Sequence, residues 1–552
     1  MDITGAQLIT RFLERRGTPF VTGVPGGAVL PLYRALDDSQ LPHVLARNEQ
    51  GAAFIAQGYA RVAGRAGVAI ATSGPGVTNT VTALADAKSD SVPLVLLAGQ
   101  VPRALKGTDA FQEAPTGFIV DRITKAHFEI GSAAELAELL PEAFRIAESG
   151  RPGPVLLDIP KDVQTERITL DGLPDPVSPT AAPVPNPNQI ARAAGLIERS
   201  QRPLLYLGGG VRISRAFADA QRLAETASLP TVTTLMALGT LPPEHPLALG
   251  MLGMHGAQHA NRAIDECDLL IAIGARFDDR ATGKLAAFAP NARVIHIDAD
   301  PRELGKLRRT DLAIHADAGA ALRGLCAMLR PTLRTEWLAR VGELRRTYPA
   351  PIADPHSLAR PQGLIAQIAR LAGPDRAVTT DVGQHQMWMA QEYPIRNPAR
   401  WLTSGGLGTM GFGIPAAIGA ALASPETGAL CVTGDGSLLM NVQELATLAD
   451  LQLDVKIVVF DNGGLGMVRQ QQSLFYERRF TASGYPRGTS ICALAEAFGI
   501  PSIDLGRARD AQAALRRAFA EPGPVLVRAP IHADEQVLPM VAPGQSNLEV
   551  IA

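Results

Sequence analysis

Leu430 to Thr433 is a short apolar run that stops at Gly434-Asp435-Gly436-Ser437. Asn462 stands 27 positions beyond Asp435, in Phe460-Asp461-Asn462-Gly463-Gly464. Between them, Asn441 to Leu451 has helical spacing, with Leu445, Leu448 and Ala449 on one face, and Val455 to Phe460 is apolar along most of its length. Such runs suit parallel strands covered on both faces. A right-handed crossover brings both strand ends to one carboxyl edge, where open α/β sheets bind ligands. There Asp435 offers a hard anionic oxygen and Asn462 a neutral one. That pair suits Mg²⁺ completed by phosphate oxygens, a backbone carbonyl and water. Gly436 lets the backbone approach a phosphate closely, and the helix N-terminus beyond it favours negative charge. A chain containing this unit is directed toward a parallel α/β fold.

The rest of the chain agrees. Strand-like and helix-like segments alternate almost throughout its 552 residues, enough for roughly three or four domains. The stretch Asp171 to Asn188 is rich in proline and lacks periodicity, so it reads as an extended linker. A second break, Tyr348 to Gln362, carries Pro349, Pro351, Pro355 and Pro361. Three blocks follow: 1–170, 189–345 and 360–552. They share a rhythm but no obvious sequence repeat. Net charge is −2, which gives no electrostatic reason to expect nucleic acid or an anionic membrane as partner. No apolar run is long enough to span a bilayer, and the N-terminus lacks a secretory signal pattern. The four cysteines are scattered without CxxC spacing and read as small core residues in a reducing compartment, so the expected location is cytoplasmic. The C-terminal Pro539 to Gly544 reads as an irregular tail, either folded over a site or free.

In the first block, His43 to Ala46 reads as a strand and Gly51 to Arg61 as a helix, which puts Glu49 at their junction. Alone it is a first-turn glutamate favoured by the helix dipole; beside a metal motif it becomes a candidate catalytic carboxylate. Thr72-Ser73-Gly74-Pro75-Gly76 follows the strand Gly67 to Ala71 and is either an anion cradle or a tight turn. Gly406 to Gly411 satisfies GxGxxG, but Trp401 to Ser404 is a poor strand and no ribose-binding acid follows, so a dehydrogenase is not expected.

The runs VPGGAVLPLY, RNEQGAAFIAQGYAR, GTDAFQE, SGRPGPVLLDIPKDVQ, GARFDDRATGK, GQHQMW, SGGLGTMGFGIPAAIGA, GDGSLLMNVQELAT and QQQSLFYE occur in this order. With Glu49 and the GDGS…N spacing they resemble, over essentially the whole chain, the catalytic subunit of acetohydroxyacid (acetolactate) synthase, a thiamine-diphosphate (ThDP) enzyme family. The resemblance implies three doubly wound parallel-sheet domains: pyrimidine-binding (1–170), FAD-binding (189–345) and diphosphate- and Mg²⁺-binding (360–552). It implies a carboligase that condenses two pyruvates to 2-acetolactate with loss of CO₂, or pyruvate with 2-ketobutyrate, in branched-chain amino-acid biosynthesis. Glu49 would face the aminopyrimidine N1′, with Gln112 and Lys161 as further catalytic groups. Phe111, Arg276, Met467 and Gln471 would contact substrate, Arg276 through a planar fork suited to a carboxylate. ThDP would be held by Gly383, Gln384, His385, Gly408, Met410, Gly436, Ser437, Gly464, Leu465, Gly466 and Met467, and Mg²⁺ by Asp435, Asn462 and Gly464.

FAD would lie along Arg151, Gly209, Gly210, Thr234, Leu235, Met236, Leu252, Gly253, Met254, His255, Gly274, Arg276, Asp278, Arg280 and Asp298. The resemblance further implies a homodimer or homotetramer, sites shared between subunits, and a small regulatory subunit. One position departs from it. Many members carry tryptophan where this chain has Gln471, and that tryptophan favours 2-ketobutyrate as acceptor. The amide here predicts a modest preference and ready acetolactate formation. A pyruvate oxidase, which also uses flavin, is the nearest rival; GARFDDR and the tail favour the synthase.

Overall fold

Alternate side chains of each central strand enter different cores, and this explains the architecture. Leu94 and Leu96 face one apolar cluster while Val95 and Leu97 face another. Leu205 and Leu207 part in the same way from Leu204 and Tyr206, and Ala429 and Cys431 from Leu430 and Val432. A sheet buried on both faces needs helices on both, and the outcome is three doubly wound α/β units. The computed structural model describes residues 1–349, 354 and 357–552, so Pro351 and Pro355 of the second break lie outside the described residues.

Each unit holds six parallel strands. The first sheet runs His43–Leu45, Val21–Gly23, Gly67–Ala71, Leu94–Gln100, Pro154–Pro160, Ala126–Glu129. The third runs Trp401–Leu402, Ala377–Thr380, Ala429–Gly434, Val455–Asp461, Val525–Pro530, Ser502–Asp504, which is the same order of chain positions. The middle sheet differs: Ala248–Met251, Thr231–Thr233, Pro203–Leu207, Leu269–Ile273, Arg293–Asp298, Leu312–His315, the order of dinucleotide-binding folds. The outer blocks are thus topological copies whose kinship lies in their connections rather than their residues.

The outer blocks also pack on each other. Helices Glu49–Ala63 and Gly413–Ala423 cross so closely that a Cβ on Gly58 would meet the Ala416 carbonyl, and one on Gly419 the Ile55 carbonyl. Phe54 and Phe412 meet edge-on at 5.4 Å beside this crossing. Three local expectations shift. The helix read from Asn441 starts at Glu444, because the Asn441 amide is drawn off to the Gly411 carbonyl (2.8 Å) and Asn441 to Gln443 form a turn. The poor strand at Trp401 is real but only two residues long, at the sheet edge. The tail is not free: Met540–Val541 pairs antiparallel with Val550–Ile551, the Val541 amide donates to the Met254 carbonyl, and the Asn547 side chain donates to Ala281.

Candidate active site

In the third block the strand order reverses between Ala377–Thr380 and Ala429–Gly434, and a cleft opens at the carboxyl ends of those strands. Open α/β sheets bind ligands at such a point. Gly383, Gln384, His385, Met410, Asp435, Gly436, Ser437, Asn462, Gly464, Leu465, Gly466 and Met467 line it. Gly408 does not reach it; it supplies a positive-φ turn two residues before Met410. Burial, reinforced by Asp461, pushes the Asp435 carboxyl up to about 7. The Asn462 Oδ1 is buried without a hydrogen-bond partner, while its Nδ2 donates to Gln384 at 3.2 Å. A buried carboxylate and an orphaned amide oxygen at one sheet edge fit a hard cation. His385, driven down to about 3 by burial, is neutral and leaves Nε2 without a partner. Gly436 has no room for a side chain, since a Cβ there would strike the Tyr485 hydroxyl and Leu465.

Glu49 begins its helix behind the Asn48 cap and is only 8% exposed. Its Oε2 accepts from Asn79 at 2.9 Å, and its Oε1 lies against Gly76 of the glycine turn. No first-block residue lines the cleft around Asp435, so the chain does not bring Glu49 to its own metal motif. Gln112 has φ of +61°, a left-handed strain uncommon for a side-chain-bearing residue, and its backbone presses on Gly74 of the same turn. Phe111 beside it projects into solvent at 89% exposure, and Lys161 starts a short helix at the end of strand Pro154–Pro160. Gln471 stands one turn beyond Met467 on helix Gly466–Phe475, on the same face.

Apart from Arg151, which belongs to the first block, the residues named for flavin follow the carboxyl ends of middle-sheet strands. Gly208 and Gly210 touch Gly274 across the point where this strand order reverses, and a Cβ on any of them would strike the facing backbone. Thr234 Oγ1 and His255 Nδ1 are buried without partners, and burial lowers His255 to about 4. Asp298 ends its strand with its carboxyl raised to about 6 by burial. Leu235, Met236, Leu252 and Gly253 follow the neighbouring strand ends. A glycine cradle with orphaned polar atoms along an open edge fits a dinucleotide. Three of the named residues are otherwise engaged. Arg151 pairs with Glu303 (2.8 Å) and Asp300 (3.4 Å), Asp278 caps helix Asp279–Thr282, and Arg280 is exposed with its guanidinium against Met254. Arg276 is half-buried.

Sequence reading missed a set of buried acids that hold these turns. Glu444 is fully buried and accepts from the amides of Arg47 and Asn48, fixing the turn that carries Glu49. Asp381 accepts from the amides of Gly411 (2.8 Å) and Gly413 (3.1 Å) on the far side of Met410. Asp86 and Asp90 hold the near side of that turn. For Asp86, Asp90 and Glu444 the one sequence signal is an acid among the buried positions of a helix; Asp381, just past strand Ala377–Thr380, carries none.

Comparison with known proteins first gives the class. Family models described as thiamine pyrophosphate enzyme match three times: the N-terminal TPP binding domain over residues 3–118, the central domain over 190–325 and the C-terminal TPP binding domain over 381–529. Whole-chain similarity then narrows it. The chain is 51% identical to the acetolactate synthase isozyme 1 large subunit of Escherichia coli over 99% of this chain and 97% of that one. It is 44% identical to the isozyme 2 large subunit of the same organism over 100% and 99%, and 48% identical to an acetolactate synthase of Mycobacterium bovis over 100% and 92%. The chain belongs to the acetolactate synthase large-subunit family of thiamine pyrophosphate enzymes.

Proposed function

We propose that this chain is the catalytic subunit of an acetolactate synthase that joins two pyruvates to 2-acetolactate with release of CO₂, and also accepts 2-ketobutyrate. The observation that carries the site assignment is the third-block cleft, where Asp435 and the unpartnered Asn462 oxygen face the glycines of a strand-order reversal. These residues would hold Mg²⁺ and the diphosphate of ThDP, with the Gly464 carbonyl as a further donor. When bound, ThDP supplies a thiazolium that accepts the electrons released by decarboxylation. Glu49 would hold a hydrogen bond at the aminopyrimidine N1′, Met410 would buttress the cofactor, and Gln112 would bond the substrate oxygens without adding charge. Arg276 would orient the acceptor carboxylate by its planar fork, and the middle-sheet edge would hold FAD. Because Glu49 lies off its own chain's cleft, the working unit is at least a homodimer in which Glu49 of one copy serves the cleft of the other. A small regulatory subunit is the further partner, in keeping with the large-subunit names of the relatives.

Incubation of the protein with pyruvate, ThDP, Mg²⁺ and FAD, leaving out each in turn, tests the reading. Acetolactate should form only when ThDP and Mg²⁺ are both present. Acetate with oxygen uptake in place of acetolactate would make the chain an oxidase.

A further inference from the structure

We infer that Asp86 and Asp90 of the first block are positioning residues for the turn that presents Met410. The turn from Ser404 to Gly411 contains Gly405, Gly406, Gly408 and Gly411, and a stretch so rich in glycine has no preferred conformation of its own. Something outside must set it. Asp86 and Asp90 stand four residues apart on helix Val81–Asp90, hence on one face, and both are buried. Asp90 accepts from the Gly405 amide at 3.0 Å and the Gly406 amide at 2.7 Å. Asp86 accepts from the Ser404 hydroxyl and, at 3.3 Å, from the Thr409 hydroxyl, while the Ser404 Oγ accepts from the Thr409 amide at 2.8 Å. Arg61 bridges the two acids at 3.1 and 2.9 Å and donates to the Thr403 carbonyl.

Two buried carboxylates around one guanidinium form an expensive core, and a buried ion cluster is weak evidence for stability. Burial, together with the charge of Asp90, holds Asp86 up to about 7. The pattern makes sense as a locator: every oxygen of the pair is spent on Arg61 or on the turn. On the other side Asp381 clamps Gly411 and Gly413, so Met410 sits between fixed points from two blocks. The same turn is pressed against the middle block, since a Cβ on Gly405 would overlap the Met236 sulfur. The tether therefore sets both the thiamine and the flavin side of the turn. The role given to Met410 rests on the proposed function; the tether itself does not.

Two substitutions test it. Ser404→Ala removes the hydroxyl that joins Asp86 to the Thr409 amide and leaves the buried charges intact, and Asp90→Asn puts an amide donor against two backbone donors. In the protein without ThDP, amide exchange in a peptide covering residues 403–413 should speed up about tenfold in both variants, with the strand Ala377–Thr380 unchanged. In the holoenzyme, kcat should fall about ten- to a hundredfold with KM for pyruvate within about twofold. In a Met410→Ala background the same substitutions should cost less than about twofold more, because the tether acts through Met410. Unchanged exchange overturns the tether; costs that multiply with Met410→Ala overturn its positioning role. A wild-type protein that makes no acetolactate would sink the proposed function instead, and the exchange result would stand apart.

Discussion

At a helix start a glutamate is ordinarily no more than a partner for the dipole. What distinguishes Glu49 is its company: an Asn79 donor, the glycines of residues 74–76, and a neighbour with a strained backbone at Gln112. Glu49→Gln keeps the shape and the Asn79 contact but loses the charge. Loss of one positioned acid–base group costs typically 10²–10⁴-fold, so steady-state acetolactate formation should fall by about that range with the melting temperature little changed. A variant retaining more than about a tenth of the rate would remove Glu49 from the chemistry. Gln471 poses a gentler question. Tryptophan there would add apolar wall beside the acceptor's extra methyl, worth roughly 1 kcal/mol, or several-fold in selectivity. Gln471→Trp should shift competing products toward 2-aceto-2-hydroxybutyrate by that factor, and an unaltered product ratio would show that this helix face does not meet the acceptor.

Elements explain which parts of the site could be read in advance. The strand–turn–helix–strand around Asp435 was legible because local forces write it: apolar strands, a glycine break and a helix with one apolar face. Glu444, Asp381, Asp86 and Asp90 were not, since each acts on a turn far away in sequence; the flanks of Gly406–Gly411 already spoke against a nucleotide loop, but nothing local pointed to the carboxylates that anchor it. Strand Pro154–Pro160 shows the same long-range economy. Its Asp158 accepts from Gln100 at 3.1 Å, and Gln100 also donates to the Ala114 carbonyl (3.2 Å), pinning the loop that carries Gln112. The other Asp158 oxygen is buried without a partner, and burial raises the carboxyl to about 6. A raised carboxylate contributes stability that is complete below about pH 4 and is lost as pH climbs through 6. Asp158→Asn has no such loss. Relative to the parent it should gain on the order of 3 kcal/mol between pH 4 and 7, read as a rise in the difference of denaturation midpoints. A pH-independent difference would mean the carboxyl titrates normally.

At the scale of the whole molecule, the first block does two jobs in two places. Through the crossing of helices Glu49–Ala63 and Gly413–Ala423, and through Asp86 and Asp90, it braces the third block of its own chain. Its Glu49 and the exposed Phe111 and Phe118 (89% each) do not line that chain's cleft. Large apolar side chains left bare in this way suit contact with another copy. If each site draws Glu49 from one copy and Asp435 from the other, two inactive variants should rescue each other. Glu49→Ala and Asp435→Ala, each alone, leave every site defective. Unfolded and refolded together in equal amounts, half the dimers are hybrids, and each hybrid has one site with both defects and one with none. Recovered activity should then approach about a quarter of the parent's by random assortment in a two-fold assembly. Sites contained within a single chain would give no recovery at any mixing ratio, because every chain in the mixture carries one of the two lesions.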